Sequence, residues 1–340
     1  MRALITGGAG FIGSHLAEAL LDEGHDVVVL DDLSTGRVEN IEHLNERPGF
    51  GCVIDTVTNE PVLARLLDST DVVFHLAAAV GVRLVMDKPI RTIETNINGT
   101  ESVLRQASRH KTTVLVASTS EVYGKGLALP FREDADLVLG PPNKTRWGYA
   151  TSKLTDEFLA LAYWKEQQVP AIVVRLFNTV GPRQSSRYGM VLPNFVRAAL
   201  ADRSMIVHGD GLQTRSFTWV GDVVDAMMAL VSEPAAIGEV FNVGNGAEIS
   251  IRDLAHKVKA VCRSRSKITY TPYSQMFDES FEDTPRRVPD ITKIHKLVGY
   301  RPKVHLNEII ERTARYWAEE PANATTARSG PVTCTRVAVA

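Results

Sequence analysis

What most constrains this chain is the alternation, over its first 175 residues, of short β-branched apolar runs with amphipathic helical patterns. The runs "RALITGG", "DVVVLDD", "FGCVIDT", "DVVFHLA", "TTVLVAS" and "AIVVRLF" are apolar throughout, not at every second position. Strands read this way when both faces of their sheet are covered. Segments such as "GSHLAEALLDEG" and "PVLARLLDST" separate most of the runs, as crossover helices separate parallel strands. The pattern predicts an α/β fold, a Rossmann-type doubly wound parallel sheet, with ligands beyond the C-terminal ends of its strands. The first strand ends at a glycine-rich turn and the fifth at "STSE", so both open onto the same rim.

The pattern loosens after residue 177. "NTVGPRQSSRYG" reads as a loop, "VLPNFVRAAL" as a helix and "SMIVHGDGLQTRSFTWV" as a strand, a turn and a strand. A helix ("SIRDLAHKVKAVC"), a strand ("KITYTPY") and a loop ("SFEDTPRRVPD") follow. The expected division is a sheet domain over 1–177, completed by parts of 205–245, and an interleaved, smaller mixed α/β lobe over 178–320. Residues 321–340, rich in small residues and without periodicity, are expected to be a mobile tail.

A net charge of −2, 44% apolar and 23% charged residues give no basic field for nucleic acid or an anionic membrane. No window approaches a membrane span, and the N-terminus enters a strand without a signal-peptide pattern. Cys52, Cys262 and Cys334 lie far apart, with no metal-ligand spacing. Reduced thiols and a cytoplasmic location are expected, with no metal.

"GGAGFIG" sets Gly7, Gly10 and Gly13 at G-x-x-G-x-x-G spacing between a predicted strand and a predicted helix. Glycines allow the tight turn and the close backbone approach to a pyrophosphate, and the helix N-terminus favours its charge. Asp31 ends the second strand eighteen residues past Gly13. An acid there accepts the ribose hydroxyls of an adenosine and repels a 2′-phosphate, which favours NAD over NADP. Arg37, in the loop that follows, is the residue a 2′-phosphate would need.

"YATSK" places Tyr149 and Lys153 four apart on one helix face. An ammonium near the phenol is expected to lower its pKa and make it a usable base. Glu121, in "ASTSEVYGK", stands at the mouth of the buried fifth strand behind Thr119 and Ser120.

The glycine motif, "HLAA" at 75–78, Thr119 and Ser120, Y-x-x-x-K and "RLFNTVGPR" together resemble the extended short-chain dehydrogenase/reductase superfamily. Its members are mostly NAD-dependent nucleotide-sugar epimerases, dehydratases and decarboxylases. The resemblance implies cofactor contacts from Gly7, Gly10, Phe11, Ile12, Gly13, Asp31, Asp55, Thr56, Leu76, Ala77 and Ala78, with Tyr149 and Lys153. It also implies oxidation at C4 of the sugar, with Thr119 or Ser120 and Tyr149 at O4 and Lys153 holding Tyr149 and the nicotinamide ribose.

Glu121 resembles the glutamate of nucleotide-sugar dehydratases and UDP-glucuronate decarboxylases, where simple 4-epimerases carry a small or uncharged residue. "GPPNKTRWGYATSK" and "SFEDTPRRVPDI" are similar to segments of the decarboxylase domain of the bifunctional 4-amino-arabinose enzyme and of UDP-apiose/xylose synthase. Arg287 is thereby expected to bind the hexuronic carboxylate, to protonate C5 or to grip the diphosphate. Asn194 and Arg215 match nucleotide- or diphosphate-binding positions, and Asn178, Arg183 and Arg83 are expected along the substrate. Arg83 lies in "AAAVGVRLVMDKP", which resembles sugar 4-epimerases. The implied function is decarboxylation of UDP-glucuronate to UDP-xylose or a UDP-4-keto-pentose. A UDP-sugar 4-epimerase, on UDP-glucuronate or UDP-glucose, is the alternative. The expected catalytic set is Thr119, Ser120, Glu121, Tyr149, Lys153 and Arg287, in a homodimer joined by the Tyr149 helix and the helix before it.

Overall fold

The computed structural model describes residues 1–186, 189–275, 280 and 282–319. The tail expected over 321–340 lies outside the described residues. All six apolar runs form strands: β1 (Arg2–Thr6), β2 (Asp26–Asp31), β3 (Phe50–Ile54), β4 (Val72–His75), β5 (Thr113–Thr119) and β6 (Ala171–Leu176). Among them lie α1 (Phe11–Asp22), α2 (Glu60–Leu67), α3 (Val82–Asp87), α4 (Pro89–His110) and α5 (Trp147–Gln167). Downstream come β7 (Thr179–Val180), α6 (Val191–Leu200), β8 (Met205–His208), β9 (Thr214–Ser216), β10 (Thr218–Trp219), α7 (Val220–Val231) and β11 (Val240–Val243). The chain continues through β12 (Glu248–Ser250), α8 (Ile251–Val261), β13 (Ile268–Thr271), β14 (Arg286–Arg287), α9 (Thr292–Val298) and α10 (Leu306–Glu319).

Among the described residues the main sheet has seven strands in the order β3-β2-β1-β4-β5-β6-β11. Every neighbouring pair is parallel. Alternation along the strands divides the core. Ala3, Ile5 and Leu115 pack with Leu16, Leu20, Val223 and Met227 from α1 and α7. Leu4, Val114 and Val116 pack with Leu63, Val103, Leu104 and Ala160 from α2, α4 and α5. This is the doubly wound architecture that continuous apolar runs require. Chain order reverses between β1 and β4, and a crevice opens beyond their C-terminal ends.

The stretch read as strand, turn and strand is split among three smaller sheets. β8 pairs with β13, β9 lies between β12 and β14, and β10 pairs with β7. Gly209 and Gly211, at φ +72° and +73°, turn the chain between β8 and β9, so the two never pair as a hairpin. A second core, including Leu192, Phe195, Leu254, Val258, Ile309 and Ile310, joins α6, α8 and α10. Ser250 caps α8, its hydroxyl accepting from Asp253 N at 3.0 Å. β9 and β14 bring Arg215 and Arg287 into register as neighbours.

No described helix is long and apolar enough to cross a membrane. Cys262 is a free thiol.

Candidate active site

The glycine turn after β1 is packed to the limit. Gly7 adopts φ +72°, and a Cβ on it would lie 2.7 Å from Ala77 N. On Gly13 a Cβ would lie 2.4 Å from Gly7 O. Side chains are therefore excluded where β1 passes into α1, and the first N–H groups of α1 are left for an anion. The turn borders a cavity of about 330 Å³. Gly7, Gly10, Phe11, Ile12, Gly13, Asp31, Asp55, Thr56, Leu76, Ala77, Ala78, Tyr149 and Lys153 all line it. Asp31 accepts hydrogen bonds from Ala9 N at 2.9 Å and Leu33 N at 2.8 Å. A carboxylate so held keeps lone pairs for a diol. Arg37 lies 3.5 Å from Glu39 across an ion pair, which offsets its charge beside the same cavity. The cradle fits a dinucleotide, and the acid at the end of β2 suits an unphosphorylated ribose.

A larger cavity, about 750 Å³, lies between the sheet rim and the second lobe and is lined by Arg83, Asn178, Asn194, Arg215 and Arg287. The two cavities share Val80, Glu121, Tyr149, Asn178, Met190 and Arg287. Arg183, expected along the substrate, lines the smaller cavity instead. At φ +66° its backbone turns the guanidinium onto α1, where Nη1 and Nη2 bond the Glu18 carboxylate at 3.0 and 2.6 Å. Asn194 is exposed and donates to Met190 O, and Asn178 donates to Ser216 O. Arg83 is at the mouth, 3.6 Å from Asp87.

Glu121 stands where the cavities meet, on a short 3-10 turn over Ser120–Tyr123. Thr119 starts that turn, its hydroxyl accepting from Glu121 N at 3.2 Å. Arg146 donates from Nη1 to Glu121 Oε2, and Arg287 Nη1 lies 3.3 Å from Oε1. Burial alone would raise the Glu121 pKa, but the two guanidiniums overcome it and hold the carboxyl at about 2. Glu121 is therefore a fixed anion at neutral pH rather than a proton donor. Arg215 Nη2 in turn bonds Asp283 Oδ1 at 2.7 Å, and Tyr273 donates to Asp283 Oδ2 at 2.9 Å. Among the described residues, three guanidiniums (Arg146, Arg215, Arg287) thus face two carboxylates (Glu121, Asp283). Arg287 Nε is buried without a hydrogen-bond partner among them. The cluster suits an anionic ligand.

Tyr149 is buried at this junction. Its pKa stands above the ordinary phenol range, contrary to the lowering expected from Lys153. Burial is the main cause and Glu121's charge adds to it, while a hydrogen bond from Thr119 and the charge of Arg146 oppose both. Lys153 does not act alone on the phenol, because its Nζ is 2.6 Å from Asp156 Oδ2. Ser120 is buried and lines the smaller cavity beside Thr119.

Arg146, Asp156 and Asp283 were not anticipated as site residues. Arg146 and Asp283 stand inside the two segments that carried the decarboxylase resemblance, so that similarity was their signal. Asp156 lies seven residues past Tyr149, on the same helix face.

A family profile described as GDP-mannose 4,6 dehydratase matches residues 4–313. The UDP-N-acetyl-alpha-D-glucosaminuronate decarboxylase of Bacillus cytotoxicus is 41% identical over 94% of this chain and 98% of its own. UDP-glucuronic acid decarboxylase 1 of Arabidopsis thaliana is 37% identical, over 92% of this chain and 68% of its own. Among solved structures, the Bacillus cereus UDP-glucuronic acid 4-epimerase, in complex with UDP-glucuronic acid and NAD, superposes with a TM-score of 0.84. It is 30% identical, over 93% of this chain and 98% of its own. The chain belongs to the GDP-mannose 4,6-dehydratase family, within the extended short-chain dehydrogenases/reductases, and its relatives include UDP-glucuronate decarboxylases.

Proposed function

We propose that this protein is an NAD-dependent lyase that oxidises a UDP-hexuronate at C4 and decarboxylates it, with UDP-glucuronate as the favoured substrate. The observation that carries the reading is Glu121, ion-paired to Arg146 and Arg287, beside Tyr149 at the junction of a dinucleotide-shaped cavity and a larger cationic one. The decarboxylase relatives support it. NAD, when bound over the glycine turn, would supply hydride acceptance at C4, and its return where the product is the pentose and not the 4-keto-pentose.

The protein's part begins with the O4 proton. Tyr149, having first released its own proton to solvent, accepts it as the phenolate, with Thr119 or Ser120 hydrogen-bonded to O4. With C4 a ketone, the C5 carboxylate belongs to a β-keto acid. Loss of CO2 leaves its electron pair in the enolate of the C4 ketone, and C5 then takes a proton from solvent water, with Arg287 beside it. Arg287, which lines both cavities, binds the carboxylate in this reading, while Glu121 fixes Arg287 and Arg146 rather than giving up a proton. Arg215 and Asn194 line the larger cavity, and in this reading they hold the diphosphate. We propose a homodimer through α4 and α5, which leave Ile90, Ile93 and Phe158 exposed.

The second reading is a 4-epimerase, favoured by the roomy 750 Å³ cavity, in which a 4-keto sugar has space to turn, and by the similarity to the UDP-glucuronic acid 4-epimerase. Proton NMR of UDP-glucuronate, and in parallel UDP-N-acetylglucosaminuronate, incubated with protein and NAD distinguishes them. A pentose or 4-keto-pentose signal establishes the lyase, and whichever sugar turns over faster fixes the C2 substituent. Conversion to the C4 epimer with the carboxylate intact rejects the lyase. Tyr149→Phe should lower turnover by about 10²- to 10⁴-fold with the fold intact.

A further inference from the structure

We infer that Asp156 is a positioning residue for Lys153, aiming its ammonium into the cofactor cavity and setting the charge felt by Tyr149. The inference rests on the reading of Tyr149 as the base.

Tyr149, Lys153 and Asp156 fall at i, i+4 and i+7 of α5, on one face. On a surface, a Lys–Asp pair three residues apart would be weak and screened. Here Lys153 is 2% and Asp156 0% exposed, and Nζ lies 2.6 Å from Oδ2. Water does not compete for this pair, so it fixes the lysine's rotamer. An ammonium has three donors. One is held by Asp156, and the others remain for the cavity that Lys153 lines. Burial raises the Asp156 pKa, opposed first by Lys153 and then by a hydrogen bond with Thr100 of α4, while the charge of Glu157 adds to the rise; Lys153 is thus the cation that holds the carboxylate.

The pair also matters through charge. Tyr149 is faced by Glu121 and Thr119 from the end of β5, by Arg146 just before α5 and by Asp156 on α5, and it lines the smaller cavity with Lys153 and with Arg287 of β14. His75 of β4 lies near Lys153. It is uncharged at neutral pH, between the hydroxyls of Thr6 and Thr100. Asp156 offsets the Lys153 ammonium that it holds, and its charge adds to burial and Glu121 in raising the phenol's pKa. Without the Asp156 carboxylate the phenolate gains stability.

The test uses the full chain with NAD. Asp156→Asn keeps the shape and an acceptor but removes the charge, and Asp156→Leu removes both. In Asp156→Asn the acid limb of kcat/KM should move down by about one pH unit, with NADH affinity nearly unchanged. In Asp156→Leu the Kd for NADH, read by fluorescence, should rise about tenfold, the loss of one charge-assisted hydrogen bond. An unmoved acid limb in the first variant together with wild-type NADH affinity in the second overturns the inference. If Asp156→Leu does not fold, the pH profile of Asp156→Asn decides alone. Absence of turnover by the wild type rejects the functional reading instead, and NADH affinity then decides the role of Asp156.

Discussion

Glu121 accepts a hydrogen bond from Arg146, the residue three positions before Tyr149 on the chain. This ties the mouth of β5 to the helix that carries the base, and Arg287 reaches the other carboxylate oxygen from β14. Removing the charge leaves two buried guanidiniums facing each other, a loss of about 3–5 kcal/mol when one partner of a buried pair is deleted. Glu121→Gln should therefore lower the Tm and reduce CO2 release by about 100-fold while still binding NADH. Pairing it with Arg146→Met should recover stability but not decarboxylation. Thermal unfolding and trapped CO2 measure the two effects, and wild-type CO2 release by Glu121→Gln would remove Glu121 from the mechanism.

The cofactor end was legible because its chemistry is local. Gly7, Gly10 and Gly13 sit on one turn, and Asp31 follows at a spacing set by one helix and one strand. The cationic end was only partly legible. Glu121, Arg287 and Arg215 stand out in the sequence through the resemblance, yet their partners Arg146 and Asp283 arrive from loops whose meeting depends on the whole fold. Arg183 is expected along the substrate, yet its guanidinium is held by Glu18 beside the smaller cavity, a contact 165 residues away that no local spacing reveals. The spacing of Lys153 suggests a lowered Tyr149 pKa, but burial first, then Glu121, with Asp156 adding, raises it, and none of these is visible in a four-residue spacing.

His75 gives the fold an acid limit. It is 1% exposed, accepts or donates to Thr6 Oγ1 at 2.8 Å and Thr100 Oγ1 at 3.0 Å, and burial holds its pKa at about 3. In the unfolded chain it titrates near its ordinary 6.5. Between those values the unfolded state binds the extra proton, so stability falls as pH falls through 6.5, until the folded imidazole also protonates near pH 3. The slope is about 1.4 kcal/mol per pH unit for one such group. Urea midpoints at pH 7 and pH 5 should show the drop, and His75→Gln should flatten it. An unchanged slope in that variant would assign the acid sensitivity elsewhere, His15 first, since its pKa is also lowered, to about 4.

α4 and α5 pack side by side under the sheet, yet Ile90 is 72% and Phe158 68% exposed. Ile93 is partly exposed beside Gly148, where a Cβ would lie 3.4 Å from its Cδ1. Apolar side chains this open on adjacent helices suit a second copy of the same face, which closes about a two-fold axis. Phe158 takes no part in either cavity, so Phe158→Asp tests association apart from the chemistry. Sedimentation equilibrium should give twice the chain mass for the wild type and the chain mass for the variant. Because α5 also carries Tyr149 and Lys153, the monomer should lose activity in proportion to any loosening of that helix. A variant that remains dimeric would move the interface away from these helices.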